Sequence, residues 1–495
     1  MTRLTAQSFI TFTDVWRALG PEVVLTAAAF LVMIIEFAVA PRARRVTPWL
    51  SLAGTVAAGI VAATRLHSFY AAQAATVTVD DFSSIFMLLI LLSCALVLLL
   101  AIGAAKKREL PFEYSYMMLF ATVGALILTA ASDLVTLYIG LELLSISSYV
   151  LVAMYRGSLR SAEGGIKYLV IGSIGSALIL YGLSFVYGLA GTTQLLAIAA
   201  NLQSTWVTTP ALLYVALVLI VTGVGVKMSV APFHQWTADV YEGAPTPVTA
   251  YLAVVSKAAV LALTFRLLLT AFGQQTPQWW PLLGWLAAIT MIVGNVGGLA
   301  QRNVKRLLAF SSIGQVGYLI VPFAAAGVVP SAAGMYQGLT SSVYYLVAYA
   351  LMTIGAFAVF QVVADARASE DIEAFTGLYK RSPWLAGAML LFLLSLAGMP
   401  LTGGFVGKFL IFLTAFNDGQ FWLGVILFAT SAVAFYYYFA IVRAMFTRQP
   451  PDDQTEVRAT PVTHAVVALC AVGTLLLGVL PSPLLSLLGG LHWFS

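Results

Sequence analysis

The segment Gly223-Val224-Gly225-Val226-Lys227-Met228-Ser229-Val230-Ala231-Pro232-Phe233-His234-Gln235-Trp236 decides the fold class. It ends an apolar run that begins near residue 211, yet it sets two glycines, a lysine and a proline in one stretch. Pro232 removes an N–H and frees a carbonyl, which membrane depth tolerates only where protein or water satisfies the freed group. A lysine at mid-helix costs about 2.5–3.5 kcal/mol on insertion scales. The segment therefore reads as a broken transmembrane helix facing protein or water, with Pro232 at the break and Lys227 as a candidate ion carrier. His234 follows the break and is a candidate proton relay between solvent and Lys227, because only histidine titrates near neutrality when unperturbed. A satisfied loop histidine is the simpler alternative.

Working outward, the chain of 495 residues is 61% hydrophobic and 9% charged, far from the composition of a soluble domain. Fourteen spans are expected, at about 20–40, 48–66, 82–104, 114–131, 133–155, 165–190, 211–235, 246–272, 279–300, 305–329, 334–364, 384–415, 420–446 and 463–488. No stretch is left for a soluble domain. The apolar run ending at Ala38-Val39-Ala40 is too long for a signal peptide, is interrupted by Glu36 and is followed by Pro41, so it reads as the first span. Odd-numbered loops hold Arg42, Arg44, Arg45, Lys106, Lys107, Arg108, Arg156, Arg160, Arg302, Arg306, Arg367, Lys380, Arg381, Arg448 and Arg458; the N-terminus and even loops hold Arg3, Arg17 and Arg65. That asymmetry predicts odd loops in the cytoplasm and both termini on the opposite side. The two cysteines, Cys94 and Cys470, cannot build a disulfide framework or an iron–sulfur or zinc site. No P-loop, dinucleotide fingerprint or metal-binding pair is present, and the small positive surplus fits loop topology better than nucleic-acid binding.

Further charges fall inside spans: Glu142 in span 5, Lys257 in span 8, Lys408 in span 12 and, nearer an edge, Lys167 in span 6. Tyr138, Glu142, Ser145 and Tyr149 recur at i, i+4, i+7 and i+11, one polar stripe of span 5. The plain structural alternative is a Glu142–Lys227 ion pair that only pins two helices, and a Lys167 that snorkels to the surface. Span 12 repeats the broken-helix theme in Gly398-Met399-Pro400-Leu401-Thr402-Gly403-Gly404-Phe405-Val406-Gly407-Lys408, with Pro400, Gly403 and Gly404 as candidate break points. The two broken spans are five apart and so cross in opposite directions, as an inverted repeat requires. The expected organisation is spans 1–3 over 1–110, a first repeat of spans 4–8 over 111–272, a second of spans 9–13 over 273–446, and a C-terminal loop and span 14 over 447–495. Polar rows Ser311-Gln315-Tyr318 on span 10 and Gln337-Ser341-Tyr344 on span 11 are candidate water-holding faces, or ordinary interhelical glue.

The blocks LELLS from Leu141, PFHQWTADVYEGAP from Pro232, VSKA from Val255, KRLLAFSS from Lys305 and GMPLTGGFVGKF around Lys408 together resemble the antiporter-like membrane subunits of respiratory complex I, most of all the subunit N type. The resemblance runs from span 5 to span 12. It implies an all-α polytopic fold of two inverted five-helix bundles and a role in proton translocation coupled to quinone reduction elsewhere in a complex. By position it implies that Glu142, Lys227, Lys257 and Lys408 form the proton path, with Lys227 switched by Glu142, Lys257 relaying and Lys408 terminal. It implies no cofactor in this chain, with FMN, iron–sulfur clusters and quinone in partner subunits, and as partners the other antiporter-like and small membrane subunits within a bacterial cytoplasmic (inner) membrane. The lysine of span 12 is similar to subunits N and L rather than M, and the chain is short for L. Gln315 departs from the histidine many relatives have on span 10, which favours a water-mediated link there. A subunit of a multisubunit cation/proton antiporter, sharing fold and motifs, and a stand-alone secondary transporter are the alternatives.

Overall fold

The computed structural model describes residues 11–39, 46–72, 76–104, 111–208, 210–326, 332–447 and 457–494. Arg3, Arg42, Arg44, Arg45, Lys106, Lys107, Arg108 and Arg448 of the charge-asymmetry argument lie outside the described residues. The described residues are helical almost throughout. Its helices are α1 (Phe12–Val39), α2 (Thr47–Ala63), α3 (Asp81–Ala104), α4 (Tyr114–Ala130), α5 (Leu134–Val152), α6 (Leu159–Ala190), α7 (Leu195–Thr208), α8 (Pro210–Met228), α9 (Thr237–Gly243) and α10 (Thr246–Tyr251). They continue as α11 (Lys257–Arg266), α12 (Thr276–Leu299), α13 (Val304–Ala326), α14 (Ala332–Arg367), α15 (Leu378–Arg381), α16 (Pro383–Ala397), α17 (Gly403–Asn417), α18 (Phe421–Thr447), α19 (Pro461–Val479) and α20 (Ser482–Gly489).

Among the described residues, eleven helical stretches are long and apolar enough to cross a membrane. The 17-residue α2 and α4 and the pair α16–α17, one span in two halves, supply the other three of the expected fourteen. Two features were not expected: α7 follows span 6, and Tyr70–Ala71 pairs antiparallel with Thr78–Val79 in a short ribbon. Helix starts follow local chemistry. The Asp133 carboxylate accepts from the N–H of Val135 at 2.8 Å to cap α5, and the Ser158 and Thr460 hydroxyls do the same for α6 and α19.

Neighbour relations recur along the chain. Spans 4 and 5 (α4, α5) pack together as spans 9 and 10 do (α12, α13), and span 6 packs on span 7 (α6, α8) as span 11 packs on span 12 (α14, α16–α17). Span 8 returns to span 4 (α11 on α4), and span 13 returns to span 9 (α18 on α12). Hydropathy is similar across these helices but burial is not: the apolar windows of α10–α11, α13 and α14 are 89%, 94% and 89% buried, against 39% for α1, α6 and α19. Spans 8, 10 and 11 thus form the protein-lined middle of the molecule, and they carry Lys257, the Ser311 row and a row of tyrosines.

Tight helix contact depends on missing side chains. A Cβ on Gly223 would stand 2.5 Å from Gly175 O and 2.6 Å from Ile179 Cγ1, so the α6–α8 contact around Lys227 closes only on glycine. The far end of the molecule is clamped by a fork: Arg266 donates to Asp80 at 2.7 and 2.8 Å and to Thr129 O at 2.9 Å, with its guanidinium 4.7 Å from the Phe82 ring. Asp81 beside it accepts from the backbone of His67 at 2.6 Å and of His492 at 2.9 Å, tying the C-terminal segment to α3.

Candidate functional site

The break in span 7 is built as its sequence demands. Helix α8 stops at Met228, Ser229 takes a left-handed φ of 64°, and the chain runs irregularly to α9. The groups this frees find partners inside the protein: Trp236 Nε1 donates to Val226 O at 3.0 Å, Val230 N to Gly225 O at 2.8 Å, and Ala231 N to Thr290 Oγ1 at 3.0 Å. Pro232 stands where no N–H is needed. Lys227, on the last turn of α8, is 6% exposed. Its ammonium donates to Ser145 Oγ at 2.9 Å and to Tyr149 Oη at 3.1 Å, so half of the span-5 stripe holds it. Glu142 is half-buried one turn away on the same helix, and its Oε1 has no hydrogen-bond partner. The two charges make no ion pair: Lys227 is held by hydroxyls, with the carboxylate one helical turn off.

Span 8 is deformed around its lysine. A π-helical turn over Leu252–Ser256 ends where α11 begins at Lys257, and another follows over Leu267–Ala271. Such turns in an otherwise α-helical span often mark functional positions. Lys257 is 2% exposed, donates to Ser312 O at 3.1 Å and to Ser312 Oγ, and lies 5.9 Å from the Tyr241 ring.

Span 12 breaks after α16. Gly398 (φ 90°) closes that helix, Leu401 is again left-handed (φ 68°), and α17 starts at Gly403. A Cβ on Gly404 would fall on Ser395 O, and Gly404 N donates to Ser395 Oγ at 3.1 Å, so the second half docks tightly under the first. Lys408 turns back to the break. Its ammonium donates to Leu396 O at 2.8 Å, Ala397 O at 3.3 Å and Ser431 Oγ at 3.1 Å, and stands 4.6 Å over the Tyr318 ring. It caps the carbonyl end of α16, where the helix dipole favours a cation.

The Ser311, Gln315 and Tyr318 row of span 10 joins the last two lysines. Ser312 Oγ shares a 2.7 Å hydrogen bond with Tyr349 Oη, and its neighbour Ser311 bonds Tyr438. Gln315 accepts from Tyr345 Oη and reaches Tyr438 Oη at 3.5 Å and Leu396 O at 3.4 Å, the same carbonyl that Lys408 addresses. Tyr318 meets Ser431 and Thr430, each at 3.3 Å, and Asn295 at 3.1 Å. From Lys257 to Lys408 the interior therefore holds two hydrogen-bonded groups, Lys257 with Ser312 and Tyr349, and Ser311 with Tyr438, Gln315, Tyr345 and the Leu396 carbonyl that Lys408 addresses, which meet at the consecutive residues Ser311 and Ser312. On the Lys227 side the row stops at Tyr149, which packs edge-on against Tyr168 with centroids 4.8 Å apart.

The remaining candidates lie elsewhere. Ser341 bonds Thr414 at 2.9 Å and Tyr344 donates to Leu477 O at 2.5 Å, so the expected span-11 row joins neighbouring helices and stays apart from the span-10 cluster. Lys167 is partly exposed and pairs with Glu163 and Asp239, each at 2.6 Å, in a surface network that runs on through Arg306 to Glu242. Burial pushes the Asp239 carboxyl up, but Lys167 and Arg306 outweigh it and hold the group below the usual carboxylate range. His234 is half-buried beside Phe310, and its Nδ1 has no hydrogen-bond partner. Ser312, Tyr345, Tyr349, Ser431, Tyr438 and Asn295 were not among the sequence candidates. Tyr345-Tyr349 at i, i+4 and Ser431-Tyr438 at i, i+7 were the available signals.

Known proteins resemble this chain in sequence and fold. A family model described as NADH:quinone oxidoreductase/Mrp antiporter, TM, matches residues 131–434, more than half of the chain. The NADH-quinone oxidoreductase subunit N of Paenibacillus sp. (strain JDR-2) is 40% identical, with 94% of each chain covered. A chain of respiratory complex I from Thermus thermophilus superposes with a TM-score of 0.78 at 31% identity, over 94% of this chain and 98% of that one. A chain of the Mrp complex from Dietzia sp. DQ12-45-1b has a TM-score of 0.82 at 20% identity, covering 97% of each, a likeness of fold alone.

Proposed function

The chain belongs to the NADH:quinone oxidoreductase/Mrp antiporter membrane family, as a member of the subunit N type, and from that premise we propose that it moves protons through the row Glu142, Lys227, Lys257 and Lys408. It is a proton-translocating membrane subunit of an NADH:quinone oxidoreductase. The observation that carries the path is the polar cluster between Lys257 and Lys408, set in the most buried spans of the molecule. Two intramembrane lysines with hydroxyls and an amide set between them have a physical use in proton transfer that a structural spacer has no need of.

Each residue then has a role. Ser145 and Tyr149 hold the Lys227 ammonium, and Glu142, one helical turn off, biases its proton occupancy through space; a small shift of α5 against α8 changes that bias. Lys257 passes charge along the membrane plane through Ser312 and Ser311. A carbonyl accepts a hydrogen bond but passes no proton, so transfer past Leu396 O to Lys408 requires a bridging water beside Gln315. Ser311, Gln315 and Tyr318 position that water, Pro400, Gly403 and Gly404 shape the break beside Lys408, and Pro232 shapes the one beside Lys227. His234 exchanges protons between solvent and the span-7 break, while Lys167 braces the surface there. The repeats 111–272 and 273–446 act as two half-paths, preceded by spans 1–3 over 1–110 and followed by span 14 over 447–495.

The reading places odd loops in the cytoplasm and both termini outside, in a bacterial cytoplasmic membrane. FMN, iron–sulfur clusters and quinone belong to partner subunits, and the other antiporter-like and small membrane subunits are the neighbours. The Lys408→Met variant, in assembled complex reconstituted into vesicles, tests the path: proton pumping falls to background while reduction of a hydrophilic electron acceptor by NADH persists. Wild-type pumping by that variant overturns the assignment of Lys408.

A further inference from the structure

A polar cavity of about 190 Å³ opens beneath Lys257, lined among others by Tyr155, Arg160, Glu242, Lys305, Gln361 and Glu370. All of these lie at or beside odd-numbered connections. One water needs on the order of 10–15 Å³ of such space, so the cavity has room for several. Lys305 crosses it, donating to Ala244 O at 3.0 Å and pairing with Glu370 at 2.9 Å.

On α9 and α14, which both supply lining of this vestibule, four buried polar atoms have no hydrogen bond of good geometry among the described residues. Gln361 Oε1, Thr353 Oγ1, Tyr241 Oη and Thr237 Oγ1 are all of this kind, and their residues are between 0% and 7% exposed. Buried polar groups are nearly always hydrogen-bonded, and several orphans in one region point to ordered water. Two of them share a ridge of α14. Tyr349, Thr353, Phe357, Gln361 and Asp365 follow at four-residue steps, and the 12 residues from Tyr349 to Gln361 climb about 18 Å. At the upper end Tyr349 bonds Ser312, which accepts from Lys257. At the lower end Gln361 lines the cavity. Phe357, fully buried, is the single apolar member of the ridge and stands between its two polar ends.

We propose that this vestibule and the α14 ridge above it form a proton-uptake route from the odd-loop side to Lys257, with Gln361 and Thr353 as positioning residues that hold its water and Phe357 as its dry step. The proposal rests on the reading of Lys257 as a proton carrier. The route delivers protons to the middle of the polar cluster and bypasses the span-7 break, so it serves the second repeat independently of His234.

The test uses assembled complex in vesicles, following NADH-driven proton translocation against reduction of a hydrophilic electron acceptor. Thr353→Val and Gln361→Leu each lower proton translocation several-fold without changing acceptor reduction, whereas Thr353→Ser, which keeps the hydroxyl, pumps as wild type. Lys257→Met is inactive in pumping. Wild-type pumping by both Thr353→Val and Gln361→Leu alongside an inactive Lys257→Met overturns the route and leaves the Lys257 reading standing; wild-type pumping by Lys257→Met overturns both. Should the valine or leucine variant fail to assemble, thiol accessibility decides. In a background with Cys94→Ala and Cys470→Ala, the Q361C variant reacts with a charged methanethiosulfonate reagent added to inside-out vesicles, and absence of reaction there overturns the route.

Discussion

At the scale of single residues, the buried lysines differ in what holds them. Lys227 has two hydroxyls, Lys257 has one serine through both its carbonyl and its hydroxyl, and Lys408 has the open carbonyl end of a helix. Hydroxyls can both accept and donate, so on the proposed path the Tyr149 phenol takes part in the exchange of the Lys227 proton as well as supporting it. The Tyr149→Phe variant should therefore assemble normally and pump several-fold more slowly, measured as the initial rate of acidification in vesicles. A Ser341→Ala variant, whose hydroxyl serves only Thr414 and Gln337, should pump as wild type. The four intramembrane charges were legible in the sequence because a charge at that depth is costly enough to need a reason. Ser312, Tyr345 and Tyr438 were not, because a hydroxyl in a membrane helix is inexpensive and common, and only the packing of spans 8, 10, 11 and 13 sets Ser312 against Lys257 and Tyr349 and brings Tyr345 and Tyr438 together at Gln315. Whether Glu142 touches Lys227 was likewise open until the two helices were seen side by side.

At the scale of elements, the breaks and the close helix contacts place the buried lysines. Gly223 lets α8 approach α6 closely enough for Lys227 to sit against α5, and a side chain there meets backbone directly. Gly223→Val should cost on the order of 1–3 kcal/mol through overpacking, seen as a lower yield of assembled complex. The clamp at the opposite end has a different signature. Removing Asp80 leaves the Arg266 guanidinium buried and unpaired, so Asp80→Ala should destabilise the chain by about 3–5 kcal/mol, and complex recovered at low temperature should still pump. Span positions followed from hydropathy, and both broken spans from glycine, proline and lysine in one apolar run. Helix α7 and the short ribbon escaped notice, since a helix between two spans and a strand of two residues leave no periodic apolar signal long enough to read. The clamp escaped notice too, because Asp80 and Arg266 are 186 residues apart in the chain.

At the scale of the whole molecule, charge is sorted by side. The odd-loop face carries the network of Lys167, Asp239, Arg306 and Glu242, and the Lys305–Glu370 pair beside it. Because the Asp239 carboxyl titrates below its ordinary range in the folded protein, the network's contribution is complete above that range and is lost as the pH falls through the lowered value. Thermal unfolding of detergent-solubilised complex should thus become less sensitive to acid in the Asp239→Asn variant. Assembly is a property of the same scale: a tagged chain extracted in mild detergent should bring flavin, iron–sulfur absorbance and quinone-reductase activity with it, whereas isolation with transport subunits alone and Na⁺-dependent proton exchange would favour the antiporter reading. The measurement that bears most directly on the account is proton translocation by assembled complex carrying Lys227→Ala. The account predicts that pumping and coupled quinone reduction both fall far below wild type; pumping and coupling at wild-type levels would contradict it.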